Sequence, residues 1–200
     1  MLLLIKTALI FFWMTEPAPK LAAQQMNYEV VLNNKRIGSL EAKKNLRDGL
    51  LHYLIESDVT FRFLFKMNLD FTYETTYQND MLIKASTRNR VNEDVRGSSK
   101  VTWNGNYYLL EVKNDRSVLK NIKITYSMAS LYFKEPKQIG QVFSERYGKF
   151  LSIKPVTEHR YELTMPDGKK NYYSYENGIC QSVELDQSIG KVFFKLISHK

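Results

Sequence analysis

The chain has 200 residues, a formal charge of +8, 44% apolar and 13% aromatic side chains, which suits one domain with a sizeable core. Its basic residues are scattered over the polar beats of strand-like segments, not gathered in blocks, which counts against nucleic acid as a partner. A single cysteine, Cys180, excludes an internal disulfide, and no nucleophile elbow, phosphate-binding loop or dinucleotide glycine fingerprint occurs.

Residues 1–23 read as an export signal. The run from Ala8 to Met14 is uninterrupted and apolar, Thr15, Glu16 and Pro17 end it, and Leu21, Ala22 and Ala23 supply the small-residue end that a signal peptidase accepts. The run falls short of the roughly 20 residues of a membrane-spanning helix. Cleavage near Ala23 is expected. It would leave a single β-rich domain over residues 24–200, in the periplasm or outside the cell, with no transmembrane segment.

Two-residue periodicity then dominates. Residues 27–32 form a first strand, Asn33-Asn34 a turn, residues 37–42 a second strand and Asp48-Gly49 a second turn. Residues 61–77 carry an aromatic face, including Phe61, Phe63, Phe65, Phe71 and Tyr73, against a polar one. Two arrangements keep that parity: a three-residue loop near Lys66 to Asn68, or one long coiled strand. Further strands follow at 82–91, 95–103, 107–112, 118–125, 160–165, 171–175, 179–185 and 191–197. Between them lie the turns Asn79-Asp80, Asn92-Glu93, Asn104-Gly105, Asn114-Asp115, Asp167-Gly168 and Asn177-Gly178. Asn104-Gly105 is the strongest hairpin signal, read as a turn with positive φ at both central residues. About eleven or twelve strands are expected.

Residues 127–147 break the rhythm. Residues 127–133 suit a short helix capped by Ser127 and ended by Glu135-Pro136; the stretch after it is neither alternating nor helical. An irregular insert with Tyr132, Phe133, Phe143, Arg146 and Tyr147 is expected to plug one mouth of the shell. The fold class is therefore all-β: an antiparallel sheet curled into a half-barrel or incomplete barrel, with a short helical plug.

Chemistry is sparse. His52, His159 and His199 are not spaced as metal ligands, so no metal or other cofactor is expected. Cys180 is expected to be shielded, on the strand face opposite Ile179, Gln181, Val183 and Leu185. Glu135 and Glu145 flank the insert and would be the acid and base of any hydrolase or isomerase, with Tyr147 beside them.

The strings YSMASLYFKEP, VFSERYGKFLSI and RYELTMPDGKKNYYSYENGI, with the opening NYEVVLNNKRIGSL, resemble an exported bacterial family of Bacteroidota type, domain of unknown function 6134. The resemblance covers most of residues 24–200 and implies no catalytic residue. More distantly, a curled exported sheet with an internal plug is similar to the periplasmic half-barrels that carry lipoproteins or lipids. The preferred reading is a non-enzymatic binder of a hydrophobic or amphipathic envelope molecule, a lipid or an acylated protein. Its lining would be Phe61, Phe63, Phe65, Phe71, Tyr73, Leu131, Tyr132, Phe133 and Phe143. The alternative is an envelope protein-interaction module with a self-filled barrel.

Overall fold

A computed structural model describes residues 23–62, 66–188 and 190–200; the expected export signal up to Ala22, and the candidates Phe63 and Phe65, lie outside them. Among the described residues, fourteen antiparallel strands form one sheet. They are β1 (Gln24–Leu32), β2 (Lys35–Arg47), β3 (Leu50–Arg62), β4 (Lys66–Gln78), β5 (Met81–Val91), β6 (Asp94–Trp103), β7 (Tyr107–Val112) and β8 (Asp115–Lys120). After an insert come β9 (Gln141–Ser144), β10 (Lys149–Thr157), β11 (Arg160–Thr164), β12 (Lys170–Glu176), β13 (Ile179–Gln187) and β14 (Gly190–His199).

Sequence neighbours pair as hairpins, and β14 returns to pair with β1, leaving β8 and β9 as the two ends of the sheet. Those ends do not pair with each other. Instead, the β9–β10 turn sits against the inner face of β6 and β7. The Ser99 hydroxyl donates to the Glu145 carbonyl at 2.7 Å, and Gly148 rests on Leu110 and Val112 of β7. The sheet is a rolled, incomplete barrel, as its patterning predicts. Pairing shifts at Val30/Val31, Thr76/Tyr77, Asn89/Arg90 and Ser174/Tyr175 add the local twist and bend that bulges bring.

The hairpins follow from turn chemistry. Asn33 and Asn34, Asn79 and Asp80, and Asn92 and Glu93 all take positive φ, the backbone that two-residue hairpin turns require. Asn104-Gly105 behaves differently: only Gly105 takes positive φ, at 104°. The Asn104 side chain accepts from the backbone N–H groups of Asn106 and Tyr107 at 3.0 and 2.9 Å. An Asx turn thus replaces the expected one, since the asparagine side chain supplies the turn's hydrogen bonds itself. The next reversal centres on Lys113, φ 57°, one position before the expected Asn114-Asp115. The aromatic stretch 61–77 divides: Phe61 pairs with Met67 and Arg62 with Lys66, so it is a hairpin and not a single long strand, but Lys66 to Asn68 already belong to β4 and the reversal comes before them rather than at them.

Alternate turns of an up-and-down sheet share an end. One end carries the turns after β1, β5, β7, β9, β11 and β13. The other carries both termini, with Gln25 and Lys200 exchanging backbone hydrogen bonds at 3.1 and 2.9 Å.

The insert enters the barrel from the terminal end. The Tyr108 hydroxyl accepts from the Ile124 N–H at 3.2 Å, and Leu82 N–H donates to the Ile124 carbonyl at 2.8 Å. The expected strand over 118–125 therefore stops at Lys120, and the chain turns inward. Tyr126 then lines up beside β9, its carbonyl accepting from Phe143 N–H at 3.1 Å.

The expected helix is a single 3-10 turn, Met128–Tyr132, as suits a five-residue serine-bearing segment. Its backbone is tied to the wall by Tyr175, which donates to the Leu131 carbonyl at 2.8 Å. Tyr28 meets Tyr132 edge-on, with ring centroids 5.6 Å apart. Leu131, Phe133 and Phe143 are all buried. From Gln141 onward the irregular stretch is the β9–β10 hairpin, which carries no alternation because Val142, Phe143 and Ser144 are buried in succession, between the sheet and the plug.

Candidate functional site

The plug fills only one end of the barrel. Above its 3-10 turn, toward the other end, a cavity of about 420 Å³ remains. Met128 and Tyr132 contribute to its lining from the plug, Ile55 and Phe194 from the walls, and Leu69, Phe71, Tyr73, Val91, Met165 and Leu185 extend the apolar surface. Charged side chains stand among them: Arg90 and Arg96 after the β5 bulge, Arg146 on the β9–β10 turn, Lys169 beside the β11–β12 turn, and Asp70 and Asp167.

Among the sequence-derived candidates, Phe71, Tyr73 and Tyr132 line this cavity. Phe61 packs at the margin of the core and is outside the lining. Leu131, Phe133 and Phe143 are spent on the plug itself, with Phe133 against Tyr53 at 5.2 Å and Phe143 against Phe150 at 5.4 Å between ring centroids.

Glu145 holds the cavity together from beneath. Its carboxylate, fully buried, accepts from the backbone N–H of Ala129 at 3.0 Å and of Met128 at 3.2 Å, satisfying donors that open the 3-10 turn. Burial pushes this carboxyl above its ordinary range, while those N–H groups pull the other way. One residue therefore fixes Met128 in the cavity lining and starts the turn that presents Arg146.

Glu135 does different work at the terminal end. It accepts from the Tyr161 hydroxyl at 2.8 Å and from Nδ1 of His159 at 2.9 Å, with Lys137 Nζ 3.5 Å away. A carboxylate only accepts, so Nδ1 carries the proton. The group lines a shallow cleft with Pro136, Pro155 and Val156, and Glu135 and Glu145 share neither a partner nor a cavity. Burial alone pushes the Glu135 carboxyl up, but His159, Tyr161 and Lys137 outweigh it and hold it below the ordinary 4.5. Burial, helped by Glu135, pushes the Tyr161 hydroxyl up to about 12.

A depressed folded-state value adds stability that is present above the unfolded value and lost as pH falls through the folded one. Glu135→Gln is thus expected to lower the thermal midpoint at neutral pH and to converge on wild type in acid. Midpoints measured from about pH 7 to pH 3 check this; a constant gap would contradict it.

Cys180 is buried and its thiol is pushed up by that burial, the state of an inert cysteine. Its facing differs from expectation. Tyr175 pairs with Cys180 but Ser174 with Ser182, so the register skips Gln181 and both Cys180 and Val183 point inward. The sequence reading missed Asn89, Arg90, Arg96, Met128 and Lys169. One signal was available: the basic residues follow or precede turns that fall at the same end of a meander.

The fold and this cavity define a class: a rolled, incomplete β-barrel with an internal plug and one open end. The chain belongs to the family described as Domain of unknown function (DUF6134), whose model matches residues 28–197. It is similar to the crystal structure of a beta-barrel-like protein of Domain of Unknown Function DUF1849 from Brucella abortus. That likeness has a TM-score of 0.60 at 10% identity and covers 90% of this chain and 98% of that one. It concerns fold alone. No curated protein matches the chain. Among the described residues, no helix is long and apolar enough to cross a membrane.

Proposed function

We propose that the chain is an exported binder of a hydrophobic or amphipathic cell-envelope molecule, held in the cavity above the plug. The observation that carries this reading is the unfilled apolar volume of about 420 Å³, within the roughly 300–1,000 Å³ of small-ligand sites, in a barrel whose other end is plugged. A self-filled interaction module draws support from the buried Leu131, Phe133 and Phe143, but their packing stops short of the open end.

Native mass spectrometry of the protein purified gently from its own envelope, with lipid extraction of the same sample, tests the reading. A stoichiometric co-purifying lipid or acylated molecule is expected. Met128→Trp, which fills the cavity from the plug side, is expected to remove it while the thermal midpoint stays within a few degrees of wild type. A clean unliganded mass, together with no uptake of an added acyl-chain probe, would overturn the reading in favour of a protein partner. N-terminal sequencing of the same sample is expected to begin near Gln24.

A further inference from the structure

We infer that the cavity selects a single-chain amphiphile with an anionic oxyanion head, and that Arg146 receives the head. This rests on the cavity-binding reading above and deepens it.

The charges at the cavity are not equivalent. Arg96 is paired with Asp94 at 3.0 Å and Lys169 with Asp167 at 3.4 Å. Among the described residues, Arg146 and Arg90 have no carboxylate within ion-pairing distance. Arg90 faces Asp70 across the β4–β5 pairing, so Arg146 is the cation with least counter-charge beside the apolar cavity, where an anion brought by a ligand is favoured.

Arg146 is also held in position before any ligand arrives. In the amide orientation that satisfies both of its partners, the Asn89 side-chain oxygen accepts from Arg146 Nε at 3.2 Å and its nitrogen donates to the Arg88 carbonyl at 3.2 Å. The guanidinium carbon lies 5.3 Å from the centre of the Tyr147 ring, a cation–π distance. The backbone beneath is clamped by Ser99 on the Glu145 carbonyl at 2.7 Å and by the Glu145 side chain on the plug. Asn89 takes Nε and the Tyr73 hydroxyl borders the guanidinium from the cavity wall, so the remaining N–H groups of the fork can meet a planar or tetrahedral oxyanion, the task for which arginine's donors are shaped. The cavity, at about 420 Å³, lies toward the small end of the ligand-site range of roughly 300–1,000 Å³, which favours one chain over two.

The test uses three probes of equal chain length, laurate, monododecyl phosphate and dodecanol, titrated into the delipidated protein. One charge-assisted hydrogen-bonding contact contributes about 1.5–3 kcal/mol, so an anionic probe is expected to bind at least about tenfold more tightly than the alcohol. Whichever of laurate and monododecyl phosphate binds more tightly identifies the head as carboxylate or phosphate. Arg146→Gln is expected to erase the preference while leaving dodecanol binding in place. Arg146→Lys restores it only in part, and Arg90→Gln reduces it. Lys84→Gln, a charge change at an exposed site on β5, leaves it intact and so excludes a general effect of the basic surface. If dodecanol binds as well as both anions, or if Arg146→Gln keeps the preference, the inference fails while the cavity reading stands. If no probe binds, both fail.

Discussion

Gly38→Ala is expected to destabilise the domain by about 3 kcal/mol or more, a fall in thermal midpoint of about 6–12 °C or greater. Gly97→Ala is expected to stay within about 0.5 kcal/mol of wild type. Both glycines are strand residues with ordinary φ, so the contrast is steric. Gly38 lies in register between Val30 of β1 and Val59 of β3, next to the pairing shift at Val30/Val31. A β-carbon there would fall 2.2 Å from the Asp58 carbonyl oxygen and 2.7 Å from the Val59 α-carbon. Both are backbone atoms that cannot rotate away. Accommodating the methyl means parting β2 from β3 or unwinding the coil at this point. Gly97 has nothing within 4 Å of the same position. Thermal unfolding of the two variants side by side checks the argument. Equal midpoints would mean that the close approach is not what keeps Gly38 a glycine.

The same contrast between local and non-local causes explains what the sequence shows. The hairpin turns are local: Asn33-Asn34 or Asn177-Gly178 declare themselves, because few residues other than asparagine, aspartate and glycine adopt positive φ readily. Alternation is local too, so the aromatic face around Phe71 and Tyr73 is legible wherever one side of a strand is wet. It fails where both sides are covered. Phe143, Ser144 and Glu145 are buried in succession because β9 lies between the rolled sheet and the plug, and no period survives there. It fails again at bulges: the register skip between Ser174 and Tyr175 turns Cys180 to the side opposite the one its position in an unbroken alternation indicates.

The cavity was legible in its greasy half and not in its charged half. Tyr132 and Phe71 belong to apolar patterns, whereas Arg90 and Arg146 are separated by 56 positions and acquire meaning only when the sheet rolls. The shift at Asn89/Arg90 lets Asn89, Arg90 and Val91 all reach the cavity, which strict alternation forbids. By its position beside the insert, Glu145 suits an acid or base. Its depth and its two backbone partners make it the anchor of the plug instead.

Glu145→Ala is accordingly expected to lower stability by about 3 kcal/mol or more, since each buried donor left without a partner costs about 1–3 kcal/mol and the missing side chain leaves a void besides. Glu145→Gln is expected to fall between wild type and alanine. Its amide oxygen can still receive the Ala129 N–H, but its amide nitrogen then faces the Met128 N–H, donor against donor. The two variants also differ from wild type in pH dependence. Glu145 has a raised folded-state value, so its contribution is fully present below the unfolded value and is lost as pH rises through the folded one. That slope is absent from Glu145→Gln, and it runs opposite to the one that Glu135 supplies.

Because Met128 and Arg146 both depend on this anchor, loosening it is expected to weaken uptake of an acyl-chain probe at temperatures where Glu145→Gln is still folded. A purely structural carboxylate, remote from the site, would change the midpoint and leave binding to the folded protein untouched. Thermal midpoints across pH, combined with probe titration well below the transition, separate the two. Unchanged binding in Glu145→Gln would detach the plug from the cavity it underlies.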